Sequence, residues 1–145
     1  MPVIEKTVLV AHSPAQMFNL VNDVPRYPKF LPWCSHAEVV ESGNGEMVAS
    51  LHIDYLRIRQ HFTTRNRLVD NERIDMDLVD GPFKHLSGGW RFQPLGDIGC
   101  KIVFELSYDF SSKLLEKVIG PVFSRIMTSL VDAFIREADK LYGDD

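Results

Sequence analysis

The predicted fold rests first on the stretch CKIVFELSYDF, residues 100–110. Its apolar residues occupy every second position, and most positions between them are polar or charged. This period of two predicts a β-strand with one buried face. After Ser111-Ser112, apolar residues recur every three or four positions from Leu115 to Leu141, which predicts a long amphipathic C-terminal helix. We expect Gly120-Pro121 to kink or divide this helix, because proline lacks a backbone donor and clashes with the preceding turn.

Upstream segments complete the architecture. Residues 47–55, 74–78 and 86–92 show the same alternation and are separated by turn-forming residues. Ser13-Pro14-Ala15-Gln16 has the form of a capping box, which predicts a short helix ending by Pro25. Together these elements predict an α+β, helix-grip fold. A curved antiparallel sheet of six to seven strands wraps around the C-terminal helix, with short helices after the first strand and a cavity inside.

Composition narrows the class of protein. The 145 residues, 45% hydrophobic and 25% charged, suit a single globular domain spanning residues 1–145. No apolar run approaches the roughly 18–20 residues of a membrane span. The two cysteines and five histidines lack metal-ligand spacing, so we expect no metal site. The net charge of −4 argues against DNA as a partner. A cytoplasmic protein is expected, with a peripheral position at the inner membrane as an alternative.

The segment from Arg57 to Leu68 departs from the pattern of the other strands. Gln60, Thr64 and Asn66 fall on the face where the other strands carry aliphatic residues. A sealed core would penalise each unpaired polar group by about 1–3 kcal/mol. A cavity that holds water or a ligand's polar group removes this penalty, so the strand indicates a mainly apolar binding cavity with a few hydrogen-bonding groups.

The residues expected around this cavity come from the strands, the helix and two loops. The proline-braced segment 27–33 is expected to cover the mouth of the cavity or, alternatively, to plug the end of the sheet. Phe83 belongs either to the mouth or to an ordinary hairpin turn. The full predicted set is Tyr27, Phe30, Leu31, Trp33, Gln60, Phe62, Thr64, Asn66, Phe83, Trp90, Phe92, Phe104, Tyr108, Phe123, Met127, Leu130 and Phe134.

A row of cations forms the candidate partner surface. It comprises Arg57, Arg59, Arg65, Arg67 and Lys84. If residues 57–68 pair with residues 73–78, the apolar side chains of both strands lie on the same face only when the two residue numbers of each pair add up to an even number. With a sum of 140 or 142, Arg65 pairs with an aspartate. The arginines then form either a cross-strand ion-pair ladder or a basic stripe that faces a partner. Lys84 is a candidate contact for a ligand's carbonyl oxygen, a lipid headgroup or a phosphate.

Three ordered motifs resemble a known family. They are NDVPRYPKFLPWC at residues 22–34, FTTRN at 62–66, and VDGPFKHL at 79–86 with GWRF at 89–92. The chain resembles the coenzyme-Q-binding START-like proteins, a family that includes bacterial ribosome-association toxins. The similarity runs essentially from end to end and implies the helix-grip fold.

The resemblance implies two functions. The first is non-enzymatic binding of ubiquinone or a similar prenyl lipid in the cavity, in support of respiration, with no resident cofactor. The alternative is a toxin of a toxin–antitoxin pair that binds the large ribosomal subunit and blocks subunit joining. A cyclase- or hydratase-type enzyme, with Tyr27 or Tyr108 as an acid, is a second alternative. Catalysis is disfavoured because the sequence has no nucleophile elbow, no phosphate-binding glycine loop and no inward carboxylate pair.

Overall fold

A computed structural model of the protein describes residues 2–143. Seven antiparallel strands form one sheet in the order β1-β7-β6-β5-β4-β3-β2. Their bounds are β1 Val3–Val10, β2 Cys34–Gly43, β3 Glu46–Tyr55, β4 Ile58–Val69, β5 Arg73–Asp80, β6 Phe83–Leu95 and β7 Gly99–Phe110. The helix-grip architecture predicted from the sequence is confirmed, with β1 and β2 as the two edge strands.

The short helices lie between β1 and β2. Helix α1 spans Pro14–Asn22, and its capping box is complete because Ser13 accepts from Gln16 and Gln16 accepts from Ser13. A 3₁₀ helix, Val24–Lys29, follows at once. The sequence therefore predicted both the start and the end of α1.

The C-terminal helix α2 spans Lys113–Tyr142 without interruption. Of the two alternatives predicted for Gly120-Pro121, division of the helix is wrong, because the helix continues through both residues. A kink at this position stays a prediction. By length and composition alone α2 is apolar enough to cross a membrane. Its inner face is nevertheless buried against the sheet, with Phe123, Val131 and Phe134 almost completely covered. This is the arrangement of a core helix.

The outer side of α2 is tied down along its C-terminal half. Asp132 lies 3.7 Å from Lys6 of β1, and Asp139 lies 2.7 Å from His12 in the loop after β1. The buried carboxylate of Glu137 accepts from Arg26 of the 3₁₀ helix at 2.9 Å. These polar contacts fix the C-terminal half of the helix to the N-terminal elements.

The register of β4 and β5 agrees with the sequence-based prediction. Arg65 pairs with Asp77, which gives the predicted even sum of 142, and the connecting loop has the predicted odd length. The start of β4 differs from the prediction. Leu56 and Arg57 form a two-residue turn with φ of 50° and 69°, so Arg57 lies in a turn and not in the strand.

Two glycines in β6 allow the sheet to bend. A Cβ atom on Gly88 would overlap the backbone oxygen of Glu105 in β7, and one on Gly89 would overlap the backbone oxygen of Ile74 in β5. Strands β5, β6 and β7 therefore approach one another more closely here than any side chain permits. A close backbone approach at strand glycines is typical of a bend in a sheet.

Candidate hydrophobic cavity and outer surface

Two aromatic clusters pack beneath α2. The Phe123 cluster surrounds Phe123 with rings whose centroids lie 4.8–6.0 Å away, those of Phe62, Phe83, Tyr108 and Phe110. The Phe134 cluster surrounds Phe134 with rings at 5.2–5.3 Å, those of Tyr27, Phe30 and Trp90. Eleven residues of helix separate the two centres, which is about 16 Å along the axis.

A small, largely apolar cavity lies between the clusters, beneath Met127 and Leu130. Its volume is about 50 Å³. Nine of the predicted residues line it: Tyr27, Trp33, Phe62, Thr64, Trp90, Phe104, Met127, Leu130 and Phe134. The sequence therefore placed a cavity between the sheet and the helix, and the structure has one there.

The other eight predicted residues do not line the cavity. Leu31, Phe83, Phe92, Tyr108 and Phe123 are buried in the core around it. Phe30 is half-buried against Tyr27 and Phe134. Phe83 begins β6 and packs in the Phe123 cluster, so its expected place at a cavity mouth is wrong.

Gln60 and Asn66 also lie elsewhere. Gln60 is half-exposed and lines an open groove together with His52 and His61. Asn66 is buried, and its side-chain oxygen accepts from the Thr64 hydroxyl at 2.8 Å. The Thr64 hydroxyl and the Asn66 side-chain oxygen are therefore bonded to each other, without a ligand. Thr64 is the one wall residue that is neither aliphatic, aromatic nor sulfur-containing.

Four wall residues are absent from the predicted set. They are Leu51, Met76, Leu86 and Leu106. Each occupies an inward position of a strand that the alternation had already identified, so the signal was present in the sequence. The predicted set consists mainly of aromatic residues, although aromatic and aliphatic residues both bound the cavity.

The size of the cavity limits what it holds as it stands. Ligand pockets generally have volumes of about 300–1,000 Å³, several times the volume found here. A prenylated ring therefore requires side chains of the wall to move. Met127 and Leu130 are the wall residues contributed by the middle of α2. Methionine changes rotamer easily, which makes Met127 a suitable moving part.

The two phenols that were candidate acids hold their protons tightly. The Tyr27 hydroxyl donates to the backbone oxygen of Val21, and its pKa is raised well above the usual range, first by burial and then by the nearby Cys34 and Asp23. Burial also raises the pKa of Tyr108. Proton donation near neutral pH requires an acid whose pKa is close to that pH. Neither phenol has this property.

Both cysteines are free, buried thiols. Burial raises the pKa of Cys34 to about 11, and it raises the pKa of Cys100 to the same value. Because the thiolate is the reactive form, neither side chain is set up as a nucleophile.

The predicted basic row is engaged in ion pairs. Arg59 lies 3.6 Å from Asp54, Arg65 lies 3.3 Å from Glu46, and Arg67 lies 3.3 Å from Asp77. Lys84 lies 3.9 Å from Asp109. The geometry is therefore that of the cross-strand ladder, the first of the two alternatives. Arg57 stands apart in its turn.

A row of histidines crosses the outer face of the sheet. His36, His52 and His61 occupy paired positions on β2, β3 and β4. Their ring centroids are 5.2 and 5.5 Å apart, beside an open groove of about 430 Å³. Within residues 2–143 no three potential ligands converge on a metal position. This row is not among the predicted sites, because it depends on the turn at Leu56 and Arg57, which sets His52 opposite His61.

The fold and the cavity define a helix-grip protein with an apolar interior. The chain belongs to the polyketide cyclase / dehydrase and lipid transport family, whose model matches residues 10–135. This membership confirms the START-like resemblance seen in the sequence motifs.

Individual relatives give finer comparisons. The chain is 46% identical over 143 residues to the protein named "Ribosome association toxin RatA" of Escherichia coli (strain K12), covering 99% of this chain and 90% of that protein. It is 28% identical over 140 residues to "Coenzyme Q-binding protein COQ10 homolog B, mitochondrial" of Xenopus laevis, covering 93% of this chain and 57% of that protein. The names of these relatives refer to ribosome association in one case and to coenzyme Q binding in the other.

The solved structures support the fold. The crystal structure of the Zhui aromatase/cyclase from a Streptomyces species superposes with a TM-score of 0.84, covering 96% of this chain and 94% of that chain. The sequence identity is 22%, so the likeness concerns the fold and not the reaction.

Proposed function

We propose that this protein is a non-enzymatic factor that associates with the ribosome. The observation that carries the proposal is the 46% identity, over nearly the whole chain, to a protein named for ribosome association. The chemistry of the interior agrees with a binding role, since the buried phenols and thiols hold their protons and the wall of the cavity is apolar. A cytoplasmic location follows from this proposal.

Sedimentation with purified ribosomal particles tests the proposal. We expect the protein to cosediment with large subunits and with neither small subunits nor buffer alone. It should also reduce the formation of complete ribosomes when the two subunits are mixed. Absence of the protein from every ribosomal fraction at low salt, where electrostatic contacts with RNA are strongest, contradicts the proposal.

A second candidate function is the binding of a hydrophobic small molecule, such as a prenyl quinone. The specific observation in its favour is the largely apolar cavity, whose wall carries the hydroxyls of Thr64 and Tyr27 among apolar side chains. Burial of a prenyl chain contributes about 0.8 kcal/mol per methylene, so a modest widening of the cavity is energetically accessible. The name of the more distant Xenopus relative points to the same class of ligand.

Solvent extraction of the natively purified protein, followed by mass spectrometry, tests this second candidate. We expect a prenylated molecule in stoichiometric amount. Leu130→Phe fills the cavity and should remove the ligand, whereas Thr128→Phe adds the same ring on the exposed face of α2 and should leave the ligand in place. Equal ligand content in these two variants places the ligand outside the cavity.

A further inference from the structure

The N-terminal half of α2 exposes aliphatic side chains to solvent. Leu114 is 70% exposed and Val118 is 52% exposed, and Pro121 is exposed on the same face. Their spacing of four and three residues sets them in one line along the helix. No element within residues 2–143 covers this line, whereas Ile119 and Phe123 on the opposite face of the helix are buried.

Cations flank this apolar line. Lys113 and Lys117 lie on one side of it, and Arg125 continues it one turn further along the helix. None of these three cations has a carboxylate of residues 2–143 within 4.0 Å. Glu116 is the acidic residue of the segment, on another side of the helix. In a chain with a net charge of −4, this is a local surplus of positive charge.

Further exposed aliphatic residues lie at the same end of the molecule. In an antiparallel sheet, the β3–β4, β5–β6 and β7–α2 connections share one end. Leu56, at the tip of the first connection, and Val79, next to the second, are both more than half exposed. The backbone N–H of Ser111 donates to the Pro82 oxygen at 3.0 Å, which joins the start of α2 to the β5–β6 connection.

We propose that this surface docks on an anionic lipid bilayer. We define the α2 docking face as Leu114, Val118 and Pro121 with Lys113, Lys117 and Arg125. An interfacial helix of this type places its aliphatic side chains at the boundary between headgroups and acyl chains, while its cations contact anionic headgroups. Docking is independent of ribosome association and extends either proposed function.

Other occupants fit this surface less well. An RNA strand satisfies the cations, but it leaves the aliphatic line against phosphates and water. A second copy of the chain covers the aliphatic line, but it brings the same three cations into opposition. A bilayer surface with anionic lipids satisfies both the apolar and the charged parts of the face.

Docking gives the cavity a position relative to the bilayer. Phe123 and Met127 lie on the inner side of α2, next to the docking face in sequence, and Met127 is a wall residue. With the face on the bilayer, this end of the cavity is the part nearest to the lipid. A hydrophobic molecule that moves between the bilayer and the interior therefore has the shortest path past α2.

Vesicle flotation tests the proposal. The intact protein should float with vesicles of phosphatidylglycerol and phosphatidylcholine, and far less with phosphatidylcholine alone. Leu114→Glu with Val118→Glu, and separately Lys113→Glu with Lys117→Glu, should each reduce binding by about tenfold or more. The matched control is Ile98→Glu, which changes an 81% exposed aliphatic residue in the β6–β7 connection at the opposite end. It should bind like the parent.

Several results overturn the proposal. These are a lack of binding to anionic vesicles, unchanged binding in the α2 variants, and an equal loss in Ile98→Glu. Sedimentation equilibrium tests whether a second copy of the chain is the occupant. If the parent does not bind vesicles but forms a dimer, and Leu114→Glu with Val118→Glu dissociates that dimer, the face serves self-association. Loss of ribosome binding in the same variant, again without vesicle binding, assigns it to the ribosome. All substituted positions are exposed, and circular dichroism verifies that each variant is folded.

Discussion

The two halves of α2 bury similar inner faces but differ in their outer attachments. Each half has a phenylalanine at the centre of an aromatic cluster, Phe123 in one and Phe134 in the other. On the outer side, the C-terminal half is joined to the N-terminal elements by two ion pairs and by the His12–Asp139 hydrogen bond, whereas residues 113–122 form no ion pair with the described part of the chain. Packing therefore stabilises the whole helix. The contacts on the outer side determine which half remains available to a partner.

The largest effect is expected from the inner faces. Phe123→Ala and Phe134→Ala should each lower the free energy of unfolding by about 3–5 kcal/mol, since each removes the central ring of a cluster. Val118→Ala, on the outer face, should change it by less than about 0.5 kcal/mol. Urea denaturation measures all three. A small effect of Phe123→Ala alone means that the N-terminal half is held less firmly than its burial indicates.

The outer attachment of the C-terminal half gives the next effect. Glu137→Gln should destabilise the protein by about 1–3 kcal/mol, because Glu137 is only 7% exposed and the change weakens its charge-assisted bonds with Arg26. Glu116→Gln is the matched control in the other half, and it should have an effect of less than about 0.5 kcal/mol. Urea denaturation measures both changes. Equal changes in the free energy of unfolding would contradict the proposed difference between the two halves of α2.

Alkaline pH provides a third test, at the Phe134 cluster. The folded protein holds the Tyr27 proton more tightly than the unfolded chain does, so this contribution to stability is complete below about pH 10 and is lost as the pH rises further. The expected loss is up to about 1.4 kcal/mol per pH unit for this buried group. Ionisation of Cys34 and Cys100, each with a pKa of about 11, should lower the free energy of unfolding further, and this loss begins near pH 9.

The variant Tyr27→Phe separates these contributions. It should be less stable than the parent at pH 8, because the Val21 oxygen loses its donor, and its stability should fall less steeply between pH 10 and pH 11. Urea denaturation at each pH measures the two slopes. Parallel slopes indicate that the phenol ionises at the same pH in both states.

The smallest expected effect concerns Gly120 in the N-terminal half of α2. A Cβ atom at position 120 would lie 3.7 Å from the Phe110 ring, which is an ordinary contact. Gly120→Ala should therefore raise the free energy of unfolding by about 0.5–1 kcal/mol, through better helix propensity. Thermal denaturation measures the gain. A loss of stability instead indicates that the helix requires glycine at this position next to Pro121.

Much of the fold follows from local sequence signals. The alternation in β7, the capping box of α1 and the paired faces of β4 and β5 each predicted what the structure contains. The β3–β4 turn was not predictable in this way. Two-residue hairpin turns with positive φ at both positions normally carry Asn or Gly, and here Leu56 and Arg57 occupy them.

The candidate site was less predictable than the fold. Alternation identifies which residues face the interior, but the volume left between them depends on rotamers and on the curvature of the sheet. Gln60 shows the limit, since its position in the alternation is inward although it lines an open groove. The ion pairs of Arg59 and Arg67 likewise depend on side-chain geometry as well as on register.

The glycine pair in β6 has a consequence for how this interior can change over evolutionary time. Because the backbones of neighbouring strands exclude a Cβ atom at Gly88 and at Gly89, the arch of the sheet is a fixed boundary. Substitutions in the wall, such as at Leu86 or Leu106, alter the interior without moving that boundary. Specificity for a different guest molecule is therefore expected to evolve through side chains and through the position of the helix, while the arch itself stays constant.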